Sequence, residues 1–580
     1  MVAYEKANEA NEANEAARGE EGAMEDSKMF SIKNIIKYNW LDFIVLIIGI
    51  LLIIILQVVG IYISYKKHIS SILVLLITLL LLFIQHSPTP KSTYILGLLY
   101  EDAPIKTDFK HTNSSGWPFV ASAVINIENK NHIFIGGGNN QPDALLLFNS
   151  NTNKYDNVIS KTIISNGSNS YSAVAFDMNQ DNNEDLIVGR KDGVYLYLNQ
   201  GNYTFTESKL VGKLDKVPLA LSVSDYNKDG KPDIYTSYFT PIQKYKGSVF
   251  NEPAHGRKNM LLKQGSDNKY EDVTLKVNAG GTHYNTFTSA FIDINQDGWP
   301  DLVLSHDSGE VEILKNNKGT FESTIPYKSK GNWMGLGAGD IDNDGDMDLF
   351  LTNIGTDTKK NKMSLGDIKP DQKQDFKHIL LQNDGNFKFT EISKDKGMDG
   401  KGFGWGALLH DFNSDGNIDL IFSENTMLYP KHYVFPHPGQ LFLGGSNKFQ
   451  RKFKYPNRNF SQTPLITDVN QDNKKDVIWI NMAGPSLTYL NNTNNNNYII
   501  VSLPMKAEFL NCRIVVDTGT KKFYRENIQG GTGFGGDTND NNIHIGLGTH
   551  PKIKEIRVYT ITDKQYSVKQ PKINSVIKLL

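Results

Sequence analysis

A single cysteine, Cys512, in 580 residues excludes any intramolecular disulfide. The 61 basic and 63 acidic residues leave a formal charge of −2, which excludes the strongly basic surface that a nucleic-acid partner requires. No nucleophile-elbow pattern occurs. Gly531, Gly533 and Gly536 fit G-x-G-x-x-G by letter, but polar residues 537–542 and then a strand pattern follow. A dinucleotide site needs a helix there, so the glycines read as a tight β loop. His432 and His437 stand five apart among Tyr429, Tyr433 and Phe435, a spacing open to a metal pair or to an exposed aromatic loop. The sequence therefore reads as a non-enzyme.

What is abundant is one nonapeptide, written six times with oxygen-bearing side chains at positions 1, 3, 5 and 9. The copies are Asp177, Asn179, Asp181, Asp185; Asp225, Asn227, Asp229, Asp233; Asp293, Asn295, Asp297, Asp301; Asp340, Asp342, Asp344, Asp348; Asp411, Asn413, Asp415, Asp419; and Asp468, Asn470, Asp472, Asp476. Position 6 is always Gly or Asn, residues that tolerate positive φ and let successive oxygens converge. Such a donor set suits Ca²⁺, a hard cation that takes six to eight oxygens. The loop starts like an EF-hand, but Asp at position 9 replaces the distal Glu, and a short apolar strand such as Leu186-Ile-Val188 follows instead of a helix. Lys474 and Lys475 in the last copy, and Asn182 in the first, mark these two as the weakest of up to six calcium sites.

First Asp to first Asp, the steps are 48, 68, 47, 71 and 57 residues, a period that belongs to a propeller or solenoid. Each repeat supplies four strand patterns, the content of one propeller blade. A further unit with decayed ligands begins at Val120–Ile125, and Ile105–Phe109 is placed to complete the last repeat from the other terminus. The expectation is an all-β, seven-bladed propeller over 104–497, closed between its ends, with a small β domain over 498–580.

The nonapeptides resemble the FG-GAP/VCBS repeats of integrin α-chain propellers. Asn332-Trp-Met-Gly-Leu-Gly-Ala-Gly-Asp340 and Phe403-Gly-Trp-Gly-Ala-Leu-Leu-His-Asp411 are similar to one subgroup, the cartilage acidic protein-like family. Tyr524–Gly536, Ile543–Gly548 and Ile553–Val558 resemble that subgroup's C-terminal ASPIC/UnbV domain, although Asp537-Thr-Asn-Asp540 replaces its usual Ser-Gln. The resemblance implies a calcium-binding extracellular propeller without established catalysis.

The front of the chain has another composition. Residues 1–39 form an acidic tail and juxtamembrane segment, too polar to bury a core. Phe43–Ile63 is an uncharged run of 21 residues, and Ile69–Ile84 one of 16. With boundaries 40–63 and 69–86 they read as a transmembrane helical hairpin. A signal peptide built on the second run is the alternative, but Ser87-Pro-Thr-Pro90 lacks an Ala-x-Ala cleavage pattern. Lys66 and Lys67 place the connecting loop in the cytoplasm. Calcium loops of extracellular type, with dissociation constants of about 10⁻⁴–10⁻³ M, then require the propeller outside.

The long repeat steps come from insertions between second and third strands, at about Tyr238–Lys258, Gly355–Phe376 and Asn425–Pro438. These emerge on the face opposite the calcium loops. Tyr238, Phe239, Tyr245, Phe250, Arg257, Tyr429, Tyr433 and Phe435 are the candidate anchors there for a protein or glycan partner. The expected function is a cell-membrane-anchored, extracytoplasmic recognition propeller; the alternatives are a propeller enzyme acting on polysaccharide and a purely structural surface protein.

Overall fold

The computed structural model describes residues 104–579 except 113–115, 165–166, 253–254, 283–284, 356–365, 401, 429–432, 437–438, 446, 456, 458, 494–495 and 539–540. The acidic tail, both apolar runs, Tyr429 and the His432/His437 pair lie outside the described residues. Among the described residues no helix is long and apolar enough to cross a membrane.

Seven antiparallel sheets follow one another along the chain. Their first strands are Ser122–Ile127, Ser170–Phe176, Val217–Ser224, Asn285–Ile292, Trp333–Gly339, Phe403–His410 and Phe460–Thr467. Each touches the next, and the seventh touches the first, closing a ring of the propeller type. In six of the sheets the second strand begins at the ninth residue of a nonapeptide: Asp185, Asp233, Asp301, Asp348, Asp419 and Asp476. The motif is therefore the turn between the first and second strands.

Alternation of side chains explains the apolar runs. Ala173 and Ala175 of the second sheet pack toward the first, while Val174 and Phe176 pack toward the third. A strand with sheets on both sides must be apolar at every position, so these strands read as continuous runs. One polar element interrupts this packing: Arg190, fully buried, bonds Asp143 at 2.6 Å and the Ile164 carbonyl at 2.7 Å. The pair links the first and second sheets, and no sequence pattern marked it.

The last sheet is completed from the far end of the chain. Asp476–Tyr489 doubles back on itself, since the Asn491 N–H donates to Asp476 Oδ1 at 2.8 Å. Its returning half pairs with Ile105–His111 through Ile105↔Thr488 and Lys106↔Leu487. Without this strand both would present open edges.

The C-terminal segment has two further sheets and its own core around Cys512, Ile514, Val516, Phe523 and Ile545. It is more than an appendage. Residues 529–537 enter the centre of the ring as a hairpin, where the first strands present unpaired backbone groups. Gln529–Gly530 pairs with Ser222 and Val223, Gly533 exchanges backbone hydrogen bonds with Leu336, and Gly536–Asp537 pairs with Ser122 and Ala123. At the tip, Phe534 is fully buried against Phe119, Phe287 and Trp405. Asp537, where the resemblance expects Ser-Gln, holds the hairpin shut: its Oδ2 accepts the Ala175 N–H at 3.1 Å and Gln529 Nε2 at 2.8 Å, and its Oδ1 accepts the Gly530 N–H at 3.2 Å.

The glycines are required by contact. Gly531 has φ +77°, and a Cβ there would sit 1.8 Å from the Ser289 carbonyl oxygen. Gly531→Ala should therefore destabilise the protein by at least ~1–3 kcal/mol from backbone strain alone. The measurement is the urea midpoint together with protease sensitivity near residue 530. An unchanged midpoint would mean that the hairpin does not occupy the channel.

Candidate metal centres

All six nonapeptides share one hydrogen-bond plan. The first Asp accepts two backbone N–H groups, from positions 5 and 6: for Asp225 these are Asp229 at 3.0 Å and Gly230 at 2.8 Å, and for Asp411 they are Asp415 at 3.1 Å and Gly416 at 2.8 Å. Position 5 accepts the N–H of position 7, as in Asp344 from Asp346 at 2.9 Å. Two residues per loop take positive φ. Position 6 does so as expected, and position 4 does so too, through Gln180, Lys228, Gln296, Asn343, Ser414 and Gln471. The double reversal brings the loop N–H groups onto the carboxylates of positions 1 and 5.

The ninth Asp has a different duty. Asp185, Asp301, Asp348, Asp419 and Asp476 each accept the N–H of position 2 with one oxygen. The other oxygen accepts the N–H of the residue that ends or follows the third strand: Asn199, Asn316, Asn383, Gly444 and Asn491 at 2.7–2.8 Å. In the third sheet Asp233 does this for Gln264. The strand-ending amides reach on to the preceding repeat's loop. Asn316 donates to the Tyr226 carbonyl, Asn383 to Ile294, Asn491 to Phe412 and Gln264 to Met178. The Asn that ends each third strand was visible in the sequence, but its partner one repeat away was not.

The donor set fits a hard divalent cation most closely in the fifth sheet. Among the described residues, three carboxylates come together there: oxygens of Asp340, Asp342 and Asp348 lie within 4.8 Å of one another. Asp344 and Asp346 belong to the same loop. Positions 1, 3 and 5 could hold a metal in all six loops. Position 9 already serves two backbone donors in five of them, and one in the loop at Asp225.

Burial dominates the electrostatics. It pushes Asp177, Asp225 and Asp293 up to about 6, and Asp340 and Asp411 up to about 7. Asp185, Asp301 and Asp348 rise to about 8, and Asp233, Asp419 and Asp476 lie well above the carboxylate range. Desolvation disfavours the charged form more than the N–H donors favour it.

The C-terminal domain lies against these loops. The Asp293 N–H donates to Glu526 Oε1 at 3.0 Å, Arg513 bonds Gln296, and Asn496 Nδ2 donates to the Asn413 carbonyl at 2.8 Å. Any Cβ at Gly546 would strike Asp411.

On the other face the insertions do lie between second and third strands, but the expected aromatic anchor surface fails at three positions. Tyr238, Phe239 and Phe250 are buried. Phe239 packs on Trp117 and Phe287, and Phe287 meets Phe534 of the hairpin. A channel end closed by an apolar tip needs an apolar layer over it, and the insertion supplies that layer. Tyr245 packs on Trp117 and donates to Asp307 at 2.7 Å, while Arg257 is held by the Asp215 and His255 carbonyls. Asn251 joins the first insertion to the second through the Asp367 carbonyl and Gln372. Tyr433 and Phe435 lie on Tyr433–Pro436, which pairs with the second strand of the sixth sheet.

The raised carboxylates fix a pH dependence. A group whose folded pKa exceeds its unfolded value of about 4 stabilises the fold fully below that value. That contribution is lost as pH rises through the folded pKa. In EGTA, stability should therefore fall as pH rises from about 4 to about 8, by up to ~1.4 kcal/mol per pH unit for each titrating group. Urea titrations across this range check it; a flat or rising profile contradicts it.

The FG-GAP-like repeat family matches residues 177–236 and 293–351. These stretches run from the second-sheet loop into the third sheet and from the fourth-sheet loop into the fifth. No curated protein sequence matches the chain. Among solved structures, an Agrocybe aegerita lectin that recognises non-reducing terminal N-acetylglucosamine is similar at 16% identity and TM-score 0.36, covering 68% of this chain and 94% of its own. The β-propeller domain of Myceliophteria thermophila Cps50 (Swd1) is similar at 9% identity and TM-score 0.37, covering 65% and 98%. A Trypanosoma rangeli sialidase is similar at 8% identity and TM-score 0.34, covering 60% and 57%. Over its described residues the chain is thus an all-β ring of seven sheets, with FG-GAP-like repeats at 177–236 and 293–351.

Proposed function

We propose that the chain is a calcium-stabilised recognition propeller in which the seven sheets act as seven blades and the six nonapeptides hold Ca²⁺. The carrying observation is the repeated loop itself: six times, two residues of positive φ set the same oxygen-bearing side chains around a buried carboxylate, and in the fifth sheet oxygens of Asp340, Asp342 and Asp348 lie within 4.8 Å of one another. A divalent ion would supply the positive charge that these carboxylates lack, and with it much of the rigidity that a disulfide-free exported domain must find elsewhere. Positions 1, 3, 5 and 9 supply its ligands. Position 9 completes the charge balance and pins the strands.

The partner of such a propeller is a protein or a glycan, met on surface that neither the hairpin nor the C-terminal domain covers. The strand extension at Tyr433–Pro436 is the part of the former aromatic set retained for this role. The apolar runs at 40–63 and 69–86 anchor the chain in a membrane, with the propeller and an ASPIC/UnbV-like C-terminal domain extracytoplasmic. The likeness of residues 524–558 to that domain, and of the loops to the cartilage acidic protein-like family, supports this organisation.

Calcium should raise the thermal midpoint of the full chain by many degrees, and EGTA should reverse it. Asp344→Ala, which removes a charged ligand from the most acidic loop, should weaken the response while leaving five loops intact. A melting curve indifferent to calcium and EGTA would sink the proposal. For the anchor, protease added to intact cells should cut the propeller. Cleavage only after lysis would reverse the sidedness.

A further inference from the structure

Where the C-terminal domain covers the fifth and sixth sheets, it leaves a half-open pocket of about 130 Å³. Most of its wall is apolar, from residues such as Leu408, Ile466 and Ile543, but Arg525, His410, His544, Lys475 and Glu526 also line it, Glu526 Oε1 being taken up by the Asp293 N–H and Asn511 Nδ2. Arg525 is only 9% exposed, on a strand whose pairing with Arg513–Asp517 fixes its direction. One guanidinium nitrogen, Nη1, donates to the Tyr524 carbonyl at 2.7 Å. Nε and Nη2, the two donors along one edge of the fork, have no partner, and neither do His410 Nε2 and His544 Nδ1. The two imidazole rings face the same pocket with centroids 5.8 Å apart.

This arrangement is costly unless something fills it. Buried donors without partners are disfavoured, most of all on a charged group. Asp411, Asp340 and Asp419 act on Arg525 through their field. Their oxygens are engaged with loop N–H groups rather than with the guanidinium. The free edge of the fork matches two oxygens of one oxyanion, and the imidazole nitrogens can serve its remaining oxygens. Metal does not fit as well. No three His, Cys, Asp or Glu ligand atoms converge here among the described residues, and a guanidinium repels a cation.

We propose that this pocket is a binding site for a small oxyanion, held bidentately by Arg525 Nε and Nη2 and completed by His410 and His544. The ligand is a carboxylate or a tetrahedral anion such as phosphate or sulfate. The site lies at the junction between the propeller and its C-terminal domain, so the bound anion fastens one to the other.

Titration calorimetry of the full chain with phosphate, sulfate and acetate, against chloride at matched ionic strength, tests it. At least one oxyanion should bind saturably, and the arm that binds distinguishes tetrahedral anions from carboxylates. Arg525→Gln should weaken binding at least about tenfold, and Arg525→Lys, which keeps the charge but loses the fork, should not restore it. Should the Arg525 variants fail to fold, His544→Phe keeps a ring to stack on Tyr498 and removes only the nitrogen, again with weakened binding expected. Sulfate also stabilises proteins generally by exclusion from their surfaces. Equal responses in wild type and variants would therefore overturn the site, as would the absence of any saturable binding.

Discussion

A carboxylate withdrawn from water needs donors or a cation in place of its hydration, and this requirement organises the whole ring. In each loop the first Asp gathers the N–H groups that shape the turn, and the ninth gathers those that fix where the second and third strands begin and end. The next repeat's strand-ending amide then binds the loop's backbone. Local turn, sheet register and sheet-to-sheet contact all run through the same few oxygens. Burial raises these groups toward neutral pH, so the lattice is most strained when they are charged and uncompensated.

Much of this was legible in the sequence because the nonapeptide is local. Its ninth residue marks a strand start in all six sheets, and the positive φ at position 6 follows from Gly or Asn. Closure by Ile105–His111 could be read from a missing fourth strand after Leu490. The role of residues 529–537 could not. Glycines state that something approaches closely, but Gly531 does not say that the approaching group is the Ser289 carbonyl, some 240 positions earlier. The same limit explains the misread aromatics. Phe239 and Phe250 stand beside long polar insertions and look exposed, yet both are buried, Phe239 against Phe287, which in turn meets Phe534.

Function shifts accordingly between the two faces. The loop face is the docking surface of the C-terminal domain, through Asp293, Gln296, Asp411 and Ser414. The opposite face is knitted together by Asn251, Asp367 and Gln372. Among the described residues, the hairpin at 529–537 fills the centre of the ring with backbone. The lone buried cysteine is consistent with this economy, since Cys512 packs in the C-terminal core.

The closing strand has a temporal meaning as well as a geometric one. Ile105–His111 leaves the ribosome long before its partner near Leu487, and the hairpin at 529–537 comes later still. Contacts of such sequence separation are slow to form, and unpaired strand edges are exposed to wrong partners until they do. Until residues 487–537 have been made this chain is an open arc, and only then can it close into a ring.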